Sequence, residues 1–222
     1  LVVVGVASIS ARFQSGLLRS RDLVNLWQGK WYALGSESLV AKVLNQDIKD
    51  NPTRTYLSQY WARENQVFPI GDATLTGGIR DAQSCFNLNA FATTDTTKLI
   101  YVRAVFKSLL SALEIEESQA EQVAASVADW IDSNDEMSSG YGAEDAWYQS
   151  LQVPYLAANQ SMADVSELRA VRGVSSKIYR KLLPYVCTIP NTDLSININT
   201  VKTGQAALLS ALLLGKLALQ PA

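Results

Sequence analysis

Histidine is absent from all 222 residues. That excludes Ser-His-Asp and Cys-His catalysis, histidine-ligated zinc and imidazole acid–base chemistry. Cysteine is nearly absent. Cys85 and Cys187 are too few for a zinc ribbon or an iron–sulfur cluster. With 6 prolines, 12 glycines and 48% hydrophobic residues, the composition excludes collagen-like and low-complexity chains. GxxxxGK[ST], GxGxxG and GxSxG are all missing, which removes the usual nucleotide and acyl-transfer signatures. No run of about 18 apolar residues occurs, so no complete transmembrane helix is expected. An enzyme would have to work through carboxylates alone, and the chain is expected not to be one.

Positive charge is also missing from one stretch. Residues 108–168 carry 12 acidic and no basic side chains, whereas 1–107 carry net +4 and 169–222 net +6. The overall charge of −2 hides an acidic middle third that needs a partner.

Residues 8–46 predict one long amphipathic helix, with Leu23, Trp27, Trp31, Leu34, Ala41 and Leu44 on one stripe. Gly16, Gly29 and Gly35 lie inside it, each costing about 1 kcal/mol relative to alanine. Small residues there predict close packing against other helices. The opening Leu1-Val2-Val3-Val4-Gly5-Val6-Ala7 fits the end of a longer hydrophobic segment, or a buried N-terminal strand. Alternation of Phe86 and Leu88 with Asn87 and Asn89 predicts a half-buried strand, as does that of Leu194, Ile196 and Ile198 with Ser195, Asn197 and Asn199. Between them lies a helical block of about 100 residues, with helices expected near 97–113, 117–132, 164–172 and 175–185. Asp164 and Glu167 form an expected capping box. A last helix over 203–214 is expected to end at Gly215. Cys85 precedes the helical block and Cys187 follows it, so a disulfide is expected to join its two stems.

Two constellations carry chemistry. Asp129, Asp132, Asp135, Glu136, Glu144 and Asp145 place six carboxylates, with Asn134, within 17 residues around a glycine-containing loop. Alternating oxygen ligands and a returning carboxylate are what calcium coordination needs. The register is not that of an EF-hand, because Met137 stands at the sixth position where glycine belongs. The same residues also fit a solvated acidic loop with Asp129 and Glu144 as helix caps. The second constellation is Val165–Leu182, two short helices around an Arg172-Gly173-Val174 turn, with five basic residues between 169 and 181. Such a helix-hairpin-helix can bind nucleic-acid phosphates. It can equally be a packing module, and the acidic block beside it would repel a phosphate backbone.

Together these segments carry a family resemblance. Lys30-Trp31-Tyr32-Ala33-Leu34-Gly35-Ser36-Glu37, Arg80-Asp81-Ala82 with Cys85-Phe86-Asn87-Leu88-Asn89-Ala90, Ala128-Asp129-Trp130-Ile131-Asp132, Gly142-Ala143-Glu144-Asp145, Ser166-Glu167-Leu168-Arg169 and Ile196-Asn197-Ile198-Asn199-Thr200 occur in that order. They resemble the minor pseudopilins of the general secretion pathway protein K family, part of type II secretion systems.

The resemblance implies an α+β pseudopilin scaffold, a long N-terminal helix packed on a small antiparallel sheet. An inserted all-α domain containing the helix-hairpin-helix-like unit interrupts it. Residues 1–90 would hold the helix and first strands, 91–187 the insertion with its calcium loop, and 188–222 the return to the scaffold, which family members continue further. It implies Ca2+ ligated by Asp132, Asn134, Glu144 and Asp145, with Asp129 a member of a second site. Asn134 stands where the family often has aspartate. It implies minor pseudopilins I and J as partners at the pseudopilus tip and no nucleic acid. It also implies a periplasmic location, with an inner-membrane anchor through the hydrophobic N-terminal helix before assembly.

Overall fold

The computed structural model of the chain describes residues 2–70 and 73–214, with side chains from 12 to 69 and from 74 to 214. Chain proximity divides it into two units, one up to Arg80 and one from Asp81.

In the first unit, helix α1 (Val2–Asp50) runs for 49 residues, longer at both ends than the predicted 8–46. Its four interior glycines, Gly5, Gly16, Gly29 and Gly35, are outweighed by the absence of proline before Pro52. β1 (Gln66–Ile70) and β2 (Ala73–Gly77) pair antiparallel, with Phe68 opposite Leu75. The helix touches β2 and the 3-10 turn Tyr60–Ala62, whose Trp61 is buried. The side chains that become half-buried on α1 are Tyr32, Ser36, Leu39, Val40, Val43, Leu44 and Asp47. Of the predicted stripe only Leu44 is among them. Leu23, Trp27, Trp31, Leu34 and Ala41 stay exposed, because the hairpin is met by a different face. No helix among the described residues is long and apolar enough to cross a membrane. Leu1–Ala7 lie outside the described side chains.

In the second unit, β3 (Phe86–Asn87) pairs in parallel with β4 (Val186–Cys187), and Cys85 and Cys187 form a disulfide with Cα atoms 5.8 Å apart. The predicted strand at 86–89 stops after Asn87. Its side chain accepts a hydrogen bond from the Asn89 amide and turns the chain into a 3-10 helix, Leu88–Ala92. Asn87 and Asn89 are buried rather than solvated, since Asn87 donates to the Asn191 carbonyl and Asn89 to those of Met162 and Ile189. The strand predicted over 194–198 does not form. The Asn197 side chain accepts the Asn199 amide, and its carbonyl accepts the Thr200 amide, which makes a turn.

Between the short strands lie α2 (Thr96–Ala112), α3 (Glu117–Ile131), α4 (Asp145–Gln149) and α5 (Ser176–Leu182), and α6 (Ala206–Leu212) follows β4. Asp95 caps α2 by accepting from the Thr97 and Lys98 amides. The Asp164 capping box is present, but it opens a 3-10 helix, Val165–Ala170. Phe86, Phe91 and Phe106 stack at the centre, with centroids 5.1–6.2 Å apart. Leu109, Leu110, Ile131, Leu168, Leu182 and Leu208 close around them, all at or near zero exposure. α6 ends at Leu212, Leu214 two residues on has φ 51°, and Gly215 lies outside the described residues.

Candidate metal centre and assembly face

Helix α3 places the acidic loop. Its buried apolar side chains Val123, Val127, Trp130 and Ile131 fix its register, and this turns Asp129 inward at zero exposure. Asp129 Oδ1 accepts from the Ser138 amide at 3.0 Å and Oδ2 from the Ala143 amide at 2.8 Å. One buried carboxylate therefore braces both arms of the loop, with charge-assisted bonds to backbone.

The sequence 132–136 is a pair of side-chain-to-backbone turns. The Asn134 amide donates to Asp132 Oδ1 at 3.3 Å, joined there by Asn134 Nδ2 at 2.8 Å, and the Glu136 amide donates to Asn134 Oδ1 at 2.8 Å. Asp145 Oδ1 accepts from the Ala157 amide, and Asp135 Oδ1 from Asn159 Nδ2.

Glu144 is different. It is 5% exposed, and neither carboxylate oxygen has a hydrogen-bond partner. Burial pushes its carboxyl up to about 7, reinforced by the charges of Asp129, Asp132, Asp135 and Asp145. Burial likewise raises Asp132. Among the described residues no three carboxylates converge closely enough to hold an ion as they stand. The set nevertheless fits a hard cation in its chemistry: a desolvated carboxylate with free lone pairs, flanked by four like charges, is what such an ion relieves.

The hairpin's cations are partly engaged within the chain. Arg172 Nη1 donates to the Gly142 carbonyl at 2.8 Å and its guanidinium lies over the Trp147 ring. Lys181 Nζ donates to the Leu113 carbonyl at the end of α2. Gly173 has φ +83°, and a β-carbon there would stand 2.9 Å from Gln122 Oε1 on α3. The turn is therefore packed against the domain core, which supports the packing reading of the hairpin.

Unit one carries a second functional candidate. Phe13, Leu17, Val24, Trp27, Trp31 and Leu34 are all exposed, Trp31 by 67%. At 3.6 residues per turn they fall in one stripe roughly 100° wide. The half-buried Ser36, Leu39, Val40, Val43 and Asp47 project from nearly the opposite side of α1. The predicted stripe had the right residues around Trp27 and Trp31, and they face outward. Sequence periodicity alone could not tell which face of α1 its own unit covers.

Comparison with known proteins follows the same lines. Residues 84–191 match the model of the type II secretion system (T2SS), protein K. Type II secretion system protein K of Aeromonas hydrophila is 46% identical over 230 residues, covering 100% of this chain and 70% of that protein. The Pectobacterium carotovorum subsp. carotovorum protein of the same name is 42% identical over 227 residues, covering 100% of this chain and 69% of that protein. Among solved structures, the GspK-GspI-GspJ complex from the enterotoxigenic Escherichia coli type 2 secretion system contains a chain that matches with TM-score 0.80. That chain is 37% identical, and the match covers 87% of this chain and 69% of that one.

Proposed function

The chain belongs to the type II secretion system protein K family, and from that membership we propose that it is a minor pseudopilin acting as a non-enzymatic assembly subunit. It joins minor pseudopilins I and J in the complex that initiates or caps the periplasmic pseudopilus. Before assembly it is held in the inner membrane by its N-terminal helix. The observation that carries this reading is the exposed apolar and aromatic stripe of α1 from Phe13 to Leu34. Burying it against partner helices supplies the hydrophobic driving force for association. The solved relative in a GspK-GspI-GspJ complex supports the choice of partners.

We further propose that residues 91–187 act as an insertion in the pseudopilin scaffold, stapled at its stems by Cys85–Cys187. Its acidic loop holds Ca2+ through Asp132, Asn134, Glu144 and Asp145. Asp129, which the resemblance places in a second site, here braces the loop through the Ser138 and Ala143 amides and adds negative charge beside the ion. The ion supplies no catalysis. It offsets the carboxylate repulsion and fixes the loop.

Co-expression with the I and J pseudopilins tests the assembly reading. The wild-type chain is expected to co-purify with both, and Trp27→Asp with Trp31→Asp to lose them while keeping the monomer's melting temperature. Wild-type failure to co-purify would sink it, and salt-dependent retardation of DNA in a gel-shift titration would favour a nucleic-acid role. For the metal, millimolar calcium is expected to raise the melting temperature. Chelator and Asp132→Ala should each abolish the rise, and an unchanged melting temperature overturns the calcium reading.

A further inference from the structure

Glu144 and Asp145 sit at a corner where the loop from α3 enters α4, and one side chain from the distant hairpin grips both sides of that corner. Arg172 Nη1 donates to the Gly142 carbonyl at 2.8 Å, two residues before Glu144. Its guanidinium carbon lies 5.2 Å from the centroid of Trp147, two residues after Asp145. Its backbone amide donates to Tyr148 Oη at 3.3 Å. Tyr148 has zero exposure and packs edge-on against Trp147 and Trp130.

The opposite side of the loop is held by Asp129, through the Ser138 and Ala143 amides. The corner is therefore gripped from α3 on one side and from the hairpin on the other. Arg172 forms no ion pair among the described residues. Its charge faces a carbonyl and an aromatic ring, so it takes no carboxylate of the loop into an ion pair.

We propose that Arg172 is the positioning residue of the calcium loop. Its guanidinium, bonded to the Gly142 carbonyl and lying over the Trp147 ring, holds residues 142 and 147 at a fixed separation, and this presents Glu144 and Asp145 together to the ion. Lysine cannot replace it, because an ammonium lacks the planar face that lies over the Trp147 ring while an N–H reaches the Gly142 carbonyl. This inference rests on the calcium reading above. It adds that the hairpin, whose other cations lie elsewhere, is coupled to metal affinity through this one side chain.

The test measures calcium binding by titration calorimetry on the full chain, for wild type, Arg172→Ala, Arg172→Lys and the control Arg169→Ala. Amide exchange across 138–148 is followed in chelator alongside. Residues that orient metal ligands typically change affinity about 10- to 100-fold when removed. Both Arg172 variants are expected to weaken calcium at least about 10-fold and to speed exchange of the Ser138 and Ala143 amides, while Arg169→Ala changes neither. Should Arg172→Ala fail to fold, Arg172→Lys, which keeps the charge and the aliphatic stem, decides the matter. Calcium binding by wild type with unchanged affinity in the variants overturns this inference alone. Absence of calcium binding by wild type overturns it together with the metal reading.

Discussion

Gly142 and Asp129 stand so close that a β-carbon on Gly142 would lie 1.9 Å from Asp129 Oδ2. The glycine is required by space, since the buried carboxylate occupies the volume any other residue would fill. Gly142→Ala is therefore expected to displace Asp129 from the Ser138 and Ala143 amides. Overpacking and lost buried hydrogen bonds together predict a loss of about 2–4 kcal/mol. Gly140→Ala, with nothing within 4 Å, is expected to stay within about 0.5 kcal/mol of wild type. Urea denaturation of the two variants checks the contrast.

Glu144 gives stability a direction in pH. Its carboxyl is raised from an ordinary 4.5 to about 7, so the folded chain binds this proton more tightly than the unfolded one. The favourable contribution is complete below the unfolded value and is lost as pH rises through the folded value. In chelator, the melting temperature is expected to fall between pH 5 and pH 8, and Glu144→Gln to flatten that slope. Asp132, also raised by burial, acts in the same sense. Glu116 and Asp164 are lowered by hydrogen bonds from Ser118 and Ser166. They act oppositely, but only below about pH 4. A flat wild-type profile over pH 5–8 would contradict the burial of Glu144.

The Cys85–Cys187 bond spans 102 residues, and the parallel ladder beside it is only two residues long on each strand. Chain-entropy reasoning puts the bond's contribution at about 4–5 kcal/mol. The Cys85→Ser, Cys187→Ser double variant is expected to lose stability of that order in urea denaturation. Intact mass after alkylation should show no modified thiol unless reductant precedes it.

Gly35 lies at the edge of the exposed stripe, and nothing stands within 4 Å of a β-carbon placed there. Gly35→Ala is expected to favour the helix by about 0.5–1 kcal/mol yet to weaken co-purification with the I and J partners by filling space a neighbouring helix uses. A parallel gain in both measurements would show that no helix packs at that position.

Legibility from sequence followed how local the cause was. The predicted 97–113 and 117–132 match α2 and α3 to within one residue at each end, because apolar periodicity agrees with the caps at Asp95 and Glu116. The alternation at 194–198 misled, since Asn197 satisfies neighbouring backbone groups with its own side chain and carbonyl. Ile198 is left 64% exposed as a result. At the acidic loop, the residue types and spacing were readable. Asp129's bracing role and Glu144's lack of partners were not, since both depend on how the arms meet across α3. Arg172 was legible only as one hairpin cation among five. Its grip on Gly142 joins residues 30 apart with no periodic signal between them.

The two faces of α1 have a kinetic consequence. The side chains that α1 uses within its own unit lie at 36–47, while residues 12–31 are exposed and carry most of the aromatic stripe. Docking a neighbour onto that stripe would disturb no packed contact between α1 and the hairpin, only the exposed Lys30 ammonium over the Trp27 ring. Such an encounter proceeds as rigid-body association, with little backbone change between free and bound forms. Its speed is then set by diffusion and orientation, at about 10⁵–10⁷ M⁻¹s⁻¹, and the lifetime of the joint, rather than the rate of joining, is where substitutions along the stripe register.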